Sequence, residues 1–208
     1  MKRRTWQVAL LLVLAGLIAI LMKEAKLDAR RRVLIDPHAP NEFRVNGVIA
    51  NEPAFSRAFK RLITEEKFEE ASEIARAQVK HGAHIIDINL ENTDRDELAD
   101  IDRFYEKVIH KVKVPLMTDS TNPKAVERAL TYCQGKAIIN SINFEDGEEK
   151  FHKVLPLVKK YGAAVIIGSI DEDKQQAQAI TRERKLAIAQ RAHKYCTEHG
   201  IPEEDLIF

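Results

Sequence analysis

Four short apolar runs in this chain each end in a cluster of carboxylate and carboxamide side chains. They are Ile85-Ile86-Asp87-Ile88-Asn89, Leu116-Met117-Thr118-Asp119-Ser120-Thr121-Asn122, Ile138-Ile139-Asn140-Ser141-Ile142-Asn143 and Val165-Ile166-Ile167-Gly168-Ser169-Ile170-Asp171. Runs of this length and β-branched content read as buried strands, and each is followed by a polar, helix-like stretch. Strands joined by helices run parallel, so their ends share one side of the sheet. The Asp and Asn side chains are therefore predicted to converge on one rim, where a parallel sheet places its working site.

The same punctuation recurs along the chain. Lys80-His81-Gly82 precedes Ile85, Gln134-Gly135 precedes Ile138, Lys160-Tyr161-Gly162 precedes Val165, and His199-Gly200 precedes Leu206. Glycine just past a helix accepts the left-handed conformation that closes it. Asn122-Pro123 reads as a capping side chain before a proline at the first helical position, and Asp146 with Glu149 as a capping box. A long amphipathic helix is predicted over Ala54 to Lys80, with Ala58, Leu62, Ile74, Ala75 and Val79 on its buried side. Strands are predicted near 44–49, 84–90, 114–118, 137–142, 163–170 and 205–208. The fold class is thus α/β, of the (β/α)8 TIM-barrel type, with about six strands of an incomplete barrel and an N-terminal hydrophobic helix. An open nucleotide-binding sheet is disfavoured, because no Gly-x-Gly-x-x-Gly or Walker loop follows any strand.

The N-terminus is of another kind. Trp6 to Met22 is free of charge and flanked by Lys2-Arg3-Arg4 and by the basic stretch Lys23 to Arg32. It reads as a membrane anchor at the short edge of spanning length, about 17 to 25 residues; a helix covering the barrel end is the alternative. The organisation expected is an N-terminal segment 1–32, a linker 33–42 and a barrel 43–208 that is cytoplasmic and tethered through residues 6–22. With 33 basic and 32 acidic residues the net charge is +1, which leaves no broad footprint for nucleic acid. Cys133 and Cys196 have no ligand spacing and read as buried thiols. The histidines are scattered, so no metal site is expected. Asp94, Asp96, Glu97, Asp100 and Asp102 read as the solvated first turns of a helix, and no nucleophile elbow or triad order supports hydrolase chemistry.

From about Phe43 to Phe208 the chain resembles the pterin-binding methyltransferase barrels of cobalamin-dependent methionine synthase and of the methyltetrahydrofolate:corrinoid protein methyltransferases. The stretches that carry the resemblance are Gly82-Ala83-His84-Ile85-Ile86-Asp87-Ile88-Asn89, Asp119-Ser120-Thr121-Asn122-Pro123, Gly135-Lys136-Ala137-Ile138-Ile139-Asn140-Ser141-Ile142, Tyr161-Gly162-Ala163-Ala164-Val165 and Thr181-Arg182-Glu183-Arg184-Lys185. The resemblance implies binding of methyltetrahydrofolate at the carboxyl rim. It further implies transfer of the N5-methyl group to cob(I)alamin carried by a partner domain or protein, with a homo-oligomer as a further partner.

By the same resemblance, Asp87 and Asp171 accept hydrogen bonds from the pterin, Asn122 and Asn140 orient it, and Asp119 and Ser120 support the rim. Asn51 completes the cofactor-binding set, and Asp171 and Asn122 are the catalytic candidates. Carboxylate and carboxamide partners on strand ends suit the amino and ring N–H donors of a pterin edge. The first-strand signature departs from the family: Gly47-Val48-Ile49-Ala50-Asn51 stands where Gly-Glu-Arg-x-Asn is usual. Two alternatives accompany the leading reading. One is a dihydropteroate synthase-like enzyme, set lower because Asn89-Leu90-Glu91-Asn92-Thr93 replaces its Gly-Gly-Glu-Ser-Thr-type loop. The other is a noncatalytic, membrane-tethered barrel that binds a pterin or a partner. Deleting residues 1–32 is expected to leave a soluble, cooperatively unfolding domain; aggregation of that product would show that the apolar segment covers the core instead.

Overall fold

The computed structural model describes residues 53–175 and 178–208. The expected strand at 44–49, the apolar stretch 6–22, the linker and Asn51 lie outside the described residues. No helix among the described residues is long and apolar enough to cross a membrane.

The described chain alternates helix and strand. Two helices, α1 (Pro53–Thr64) and α2 (Phe68–Lys80), precede β1 (Ile86–Asn89). Then come α3 (Glu97–Val108), β2 (Leu116–Asp119), α4 (Pro123–Leu130), β3 (Ile138–Ile142), α5 (Glu149–Tyr161), β4 (Ala164–Ile167), α6 (Arg182–Glu198) and, after a 3-10 turn, β5 (Leu206–Ile207). The five strands form one sheet in chain order, every neighbouring pair parallel. That is the order of a (β/α) barrel wall, not of a doubly wound sheet, whose strand order reverses. Five of the six expected strands fall among the described residues and all five form.

The pleat divides the sheet into two chemistries. Ile86, Ile88 and Leu116 turn to a core shared with Ile101, Phe104, Tyr105 and Val108 of α3. Ile139, Ile142, Val165 and Ile167 turn to a second core with α5 and α6. Alternate residues face the other way. There Met117, Ile138 and Ala164 pack together with Ile85, Ile166 and Ile207. Strand register places Asn89 beside Asp119 and Asp119 beside Asn140, one pleat beyond the row Asp87, Met117, Ile138 and Ala164. The inner face is therefore apolar where the strands enter and polar where they leave.

Helix ends follow the sequence in part. The Asn122 side chain accepts from the Lys124 N–H, 3.1 Å, with Pro123 next in the helix, and Gly162 closes α5 at φ 61°. The expected capping box does not form: α5 starts at Glu149 after Glu148, with no side-chain cap, because Gly147 folds back on the Phe144 carbonyl instead, 2.9 Å.

The single long helix over 54–80 is in fact two. Ile63 and Phe68 are both buried, yet residues five apart lie about 140° apart on a helix, so a continuous one would not bury both on one side. The chain breaks between them with Glu66 at φ 57°. Glu66 is held there by Arg103 of α3 at 2.9 Å and Arg95 at 3.8 Å.

The acidic stretch before and within α3 is also not simply solvated. Asp96 caps the helix through the Leu98 and Ala99 N–H groups, Asp102 pairs with Arg128 and Tyr132, and Asp100 is 2% exposed. The Asp100 carboxylate takes both forks of Arg95, at 2.6 and 2.7 Å. Breaking such a buried pair leaves a charge without its partner. Asp100→Ala is expected to cost about 3 kcal/mol in urea unfolding; unchanged stability would show that the pair holds nothing.

Candidate functional site

Asp87 is a carboxylate of the inner face. It sits mid-strand in β1, half-buried, and its Oδ1 is buried with no hydrogen-bond partner. Burial, reinforced by the charge of Asp119, pushes its carboxyl up to about 7, against the opposing pull of hydrogen bonds from Asn140 and the Ile88 backbone. Three of the expected residues, Asp87, Asp119 and Asn140, thus come together on three successive strands.

The loops leaving β1 and β2 grip each other around this set. Asn89 accepts the Glu91 N–H through Oδ1, 3.0 Å, and donates Nδ2 to Asp119 Oδ2, 3.1 Å. Glu91 takes both the Thr121 N–H, 3.2 Å, and its hydroxyl, 2.7 Å. Glu97, at the start of α3, has an Oε1 that is buried without a partner. Burial first, then the charges of Glu91 and Asp119, raises its carboxyl above the usual range. Asp119 is thus held from Asn89 at the end of β1, and Thr121 from Glu91 in the loop that follows. Among the described residues, no Lys or Arg forms an ion pair with Asp87, Glu91, Glu97 or Asp119.

Asn122 and Asp171 stand apart from the inner face in what they bond. Asn122 is exposed, with its oxygen on the α4 cap. Asp171 lies beyond β4, and Arg184 of α6 engages both of its oxygens while Oδ1 also accepts the Asp173 N–H, 3.0 Å. The Arg184 guanidinium beside it holds the carboxyl below the usual carboxylate range. Its acceptors are therefore already occupied. Asn89 and Glu97, by contrast, belong to the rim although neither stood in the expected set. For Asn89 the signal was available: it has the same strand parity as Asp87. For Glu97 it was not, since only the tertiary fold brings α3 against the β2 exit.

At the opposite end of the strands, a cleft of about 390 Å³ is lined by Val112 to Leu116 and Cys133 to Ala137. Its Cys133 thiol is pushed up to about 11 by burial, which leaves little thiolate for nucleophilic chemistry. Cys196 is buried in the outer core and likewise raised, to about 11.

A family model described as "Pterin binding enzyme" matches residues 54–208. A second model, "Peptidase family M13", matches residues 15–73, a stretch whose one histidine is His38 and which lacks the His-Glu-x-x-His pattern of a zinc-protease helix. Among solved structures, DHPS of Yersinia pestis with a pterine-sulfa conjugate is similar at 21% identity and a TM-score of 0.49, over 67% of this chain and 52% of that one. The chain thus spans about half the length of that protein. With its model covering all five described strands and the rim they carry, the chain belongs to the pterin-binding enzyme family.

Proposed function

We propose that this chain binds a methylated pterin, methyltetrahydrofolate, through the Asp87, Asp119 and Asn140 layer, and passes its N5-methyl group to cob(I)alamin on a corrinoid partner protein. The observation that carries the pterin part is the unpartnered Asp87 Oδ1. A buried acceptor without a donor costs free energy, and the edge of a pterin supplies an amino group and a ring N–H to meet it. Asn140, beside Asp119 in the neighbouring strand, would fix the angle at which that edge arrives. The apolar patch of Met117, Ile138 and Ile166 offers the ring a dry floor. The methyl-transfer part rests on the resemblance of the strand-end motifs to corrinoid methyltransferases. As the methyl leaves, the N5 nitrogen must be relieved of charge by a proton or hydrogen bond; the layer's part is to bind and orient. Asn122 and Asp171 belong in this reading to the margin of the site, with Asp171 acting through Arg184.

Dihydropteroate synthase-like chemistry is the second reading, since the same acceptor layer serves any pterin. Methylation of cob(I)alamin by the chain with methyltetrahydrofolate supports the first; dihydropteroate formation without it supports the second. Pterin binding without either reaction supports the noncatalytic, tethered reading.

Two outcomes follow from the rim's electrostatics. Calorimetric titration with methyltetrahydrofolate should show Asp87→Ala binding at least about tenfold more weakly, as expected for losing a charged hydrogen bond of about 1.5–3 kcal/mol; equal affinity would remove Asp87 from the site. The second concerns pH. Because the Asp87 carboxyl is raised from 3.8 to about 7, the folded state holds a proton that the unfolded state has lost, and stability falls as pH rises through that window. Asp87→Asn should therefore be more stable than the parent at pH 8, by on the order of 3 kcal/mol, with the advantage vanishing toward pH 4. Identical urea midpoints at pH 8 would contradict this.

A further inference from the structure

Backbone pairing between β1 and β2 stops at Asn89 and Asp119, the last residues of the two strands. Beyond that point the chain turns into α4, and each N–H along the way needs an acceptor, from water or from the protein. From Thr121 to Lys124 side chains provide them. The Asn122 N–H is taken by Ser120 Oγ at 3.1 Å, Pro123 has none to place, and the Lys124 N–H goes to Asn122 Oδ1 at 3.1 Å. Those acceptors belong to the segment itself, so they shape its turn without fixing where the turn stands. The acceptor for Thr121 comes from elsewhere: Glu91 takes its N–H on Oε2 at 3.2 Å and its hydroxyl on Oε1 at 2.7 Å.

Both carboxylate oxygens of Glu91 are therefore engaged by one residue at the exit of the neighbouring strand. Glu91 is itself tethered, since its N–H bonds to Asn89 Oδ1 at 3.0 Å, and Asn89 Nδ2 reaches Asp119 Oδ2 at 3.1 Å. The result is a closed ring that runs from Asn89 to Asp119, along the chain to Thr121, across to Glu91 and back along the chain to Asn89. It carries the β1–β2 pairing two residues past the end of the backbone ladder. Asp119 lies within this ring, on the strand between those of Asp87 and Asn140.

We propose that Glu91 is a positioning residue of the rim: by holding Thr121 it fixes the exit of β2 against that of β1, so that Asp119 stands at a set distance from Asp87 and Asn140. The consequence for affinity rests on the pterin-binding reading; the brace itself does not. Glu91 touches no ligand, and what it supplies is the length and two-pronged shape of its side chain rather than its charge. Glutamine keeps both bonds, because its Oε1 accepts the Thr121 N–H while its Nε2 donates to the hydroxyl, which can serve as an acceptor.

The test uses the full 208-residue chain and two readouts, methyltetrahydrofolate affinity by calorimetry and the carboxyl titration of Asp87 by carbon NMR without ligand. The second reports where Asp119 stands, since its charge adds to burial in raising the Asp87 carboxyl; a variant that only lowered overall stability would leave it unmoved. Glu91→Ala is expected to weaken binding about tenfold, the loss that one charged hydrogen bond carries, and to lower the Asp87 midpoint as Asp119 is released. Glu91→Gln should hold affinity within about threefold of the parent, less than one ordinary hydrogen bond is worth, with the Asp87 midpoint at its parent value. An unchanged Asp87 midpoint in Glu91→Ala overturns the proposal whatever the affinity does. So does a Glu91→Gln loss as large as that of alanine, which would mean that charge rather than shape matters. Should Glu91→Ala not fold, Thr121→Val removes the hydroxyl bond from the other side and must lower the Asp87 midpoint in its place. If the parent itself does not bind the pterin, the function proposed above fails, while the titration still decides whether Glu91 holds Asp119 in place.

Discussion

The pleat of a parallel strand is the constraint on which the rest depends. Once Ile86, Ile88 and Leu116 are committed to the helix-facing core, the residues between them have no choice but the inner face, and that face must be filled by whatever lies at the alternate positions. In this chain those positions are apolar at the strand entrances and Asp or Asn at the exits. The barrel geometry gathers the exits, so three strands deliver Asp87, Asp119 and Asn140 to one place without any long-range signal in the sequence. A shift of one residue in β1 would send Ile88 to the rim and Asp87 into the helix-facing core.

Such a layer is expensive to keep without a ligand. Asp87 and Glu97 each carry a buried oxygen with no donor, and both carboxyls are driven toward the protonated form by burial and by neighbouring anions. Packing elsewhere offsets this: the outer cores bury Phe104, Tyr105, Phe144 and Phe151 almost completely, and Tyr105 even satisfies its hydroxyl on Thr118 at 3.1 Å. Stability thus sits on the helix side of the sheet and tension on the inner side. Strain concentrated where a ligand would relieve it is a common arrangement in binding proteins.

The strands were legible because their signal is local: apolar runs of the right length, bounded by glycine and by strand-end Asp or Asn. All five that fall among the described residues form within a few residues of where the sequence places them. The core of the site, Asp87, Asp119 and Asn140, was legible for the same reason, since strand ends and parity fix it. What escaped was tertiary. The break at Glu66 has no glycine or proline to mark it, and Glu66 pairs there with Arg95, just before α3, and Arg103 of α3. Glu97 looked like a solvated helix start until α3 met the β2 exit. Asp171 looked free in the sequence because its partner Arg184 stands thirteen residues on, across a loop.

The central claim is that the inner polar layer receives a pterin, and a crystal structure of the chain with methyltetrahydrofolate tests it most directly. The account predicts the amino and ring N–H donors of the pterin within about 3 Å of Asp87, with the ring lying over Met117 and Ile138. A pterin bound instead in the cleft under Pro115 and Lys136, at the other end of the strands, would contradict it.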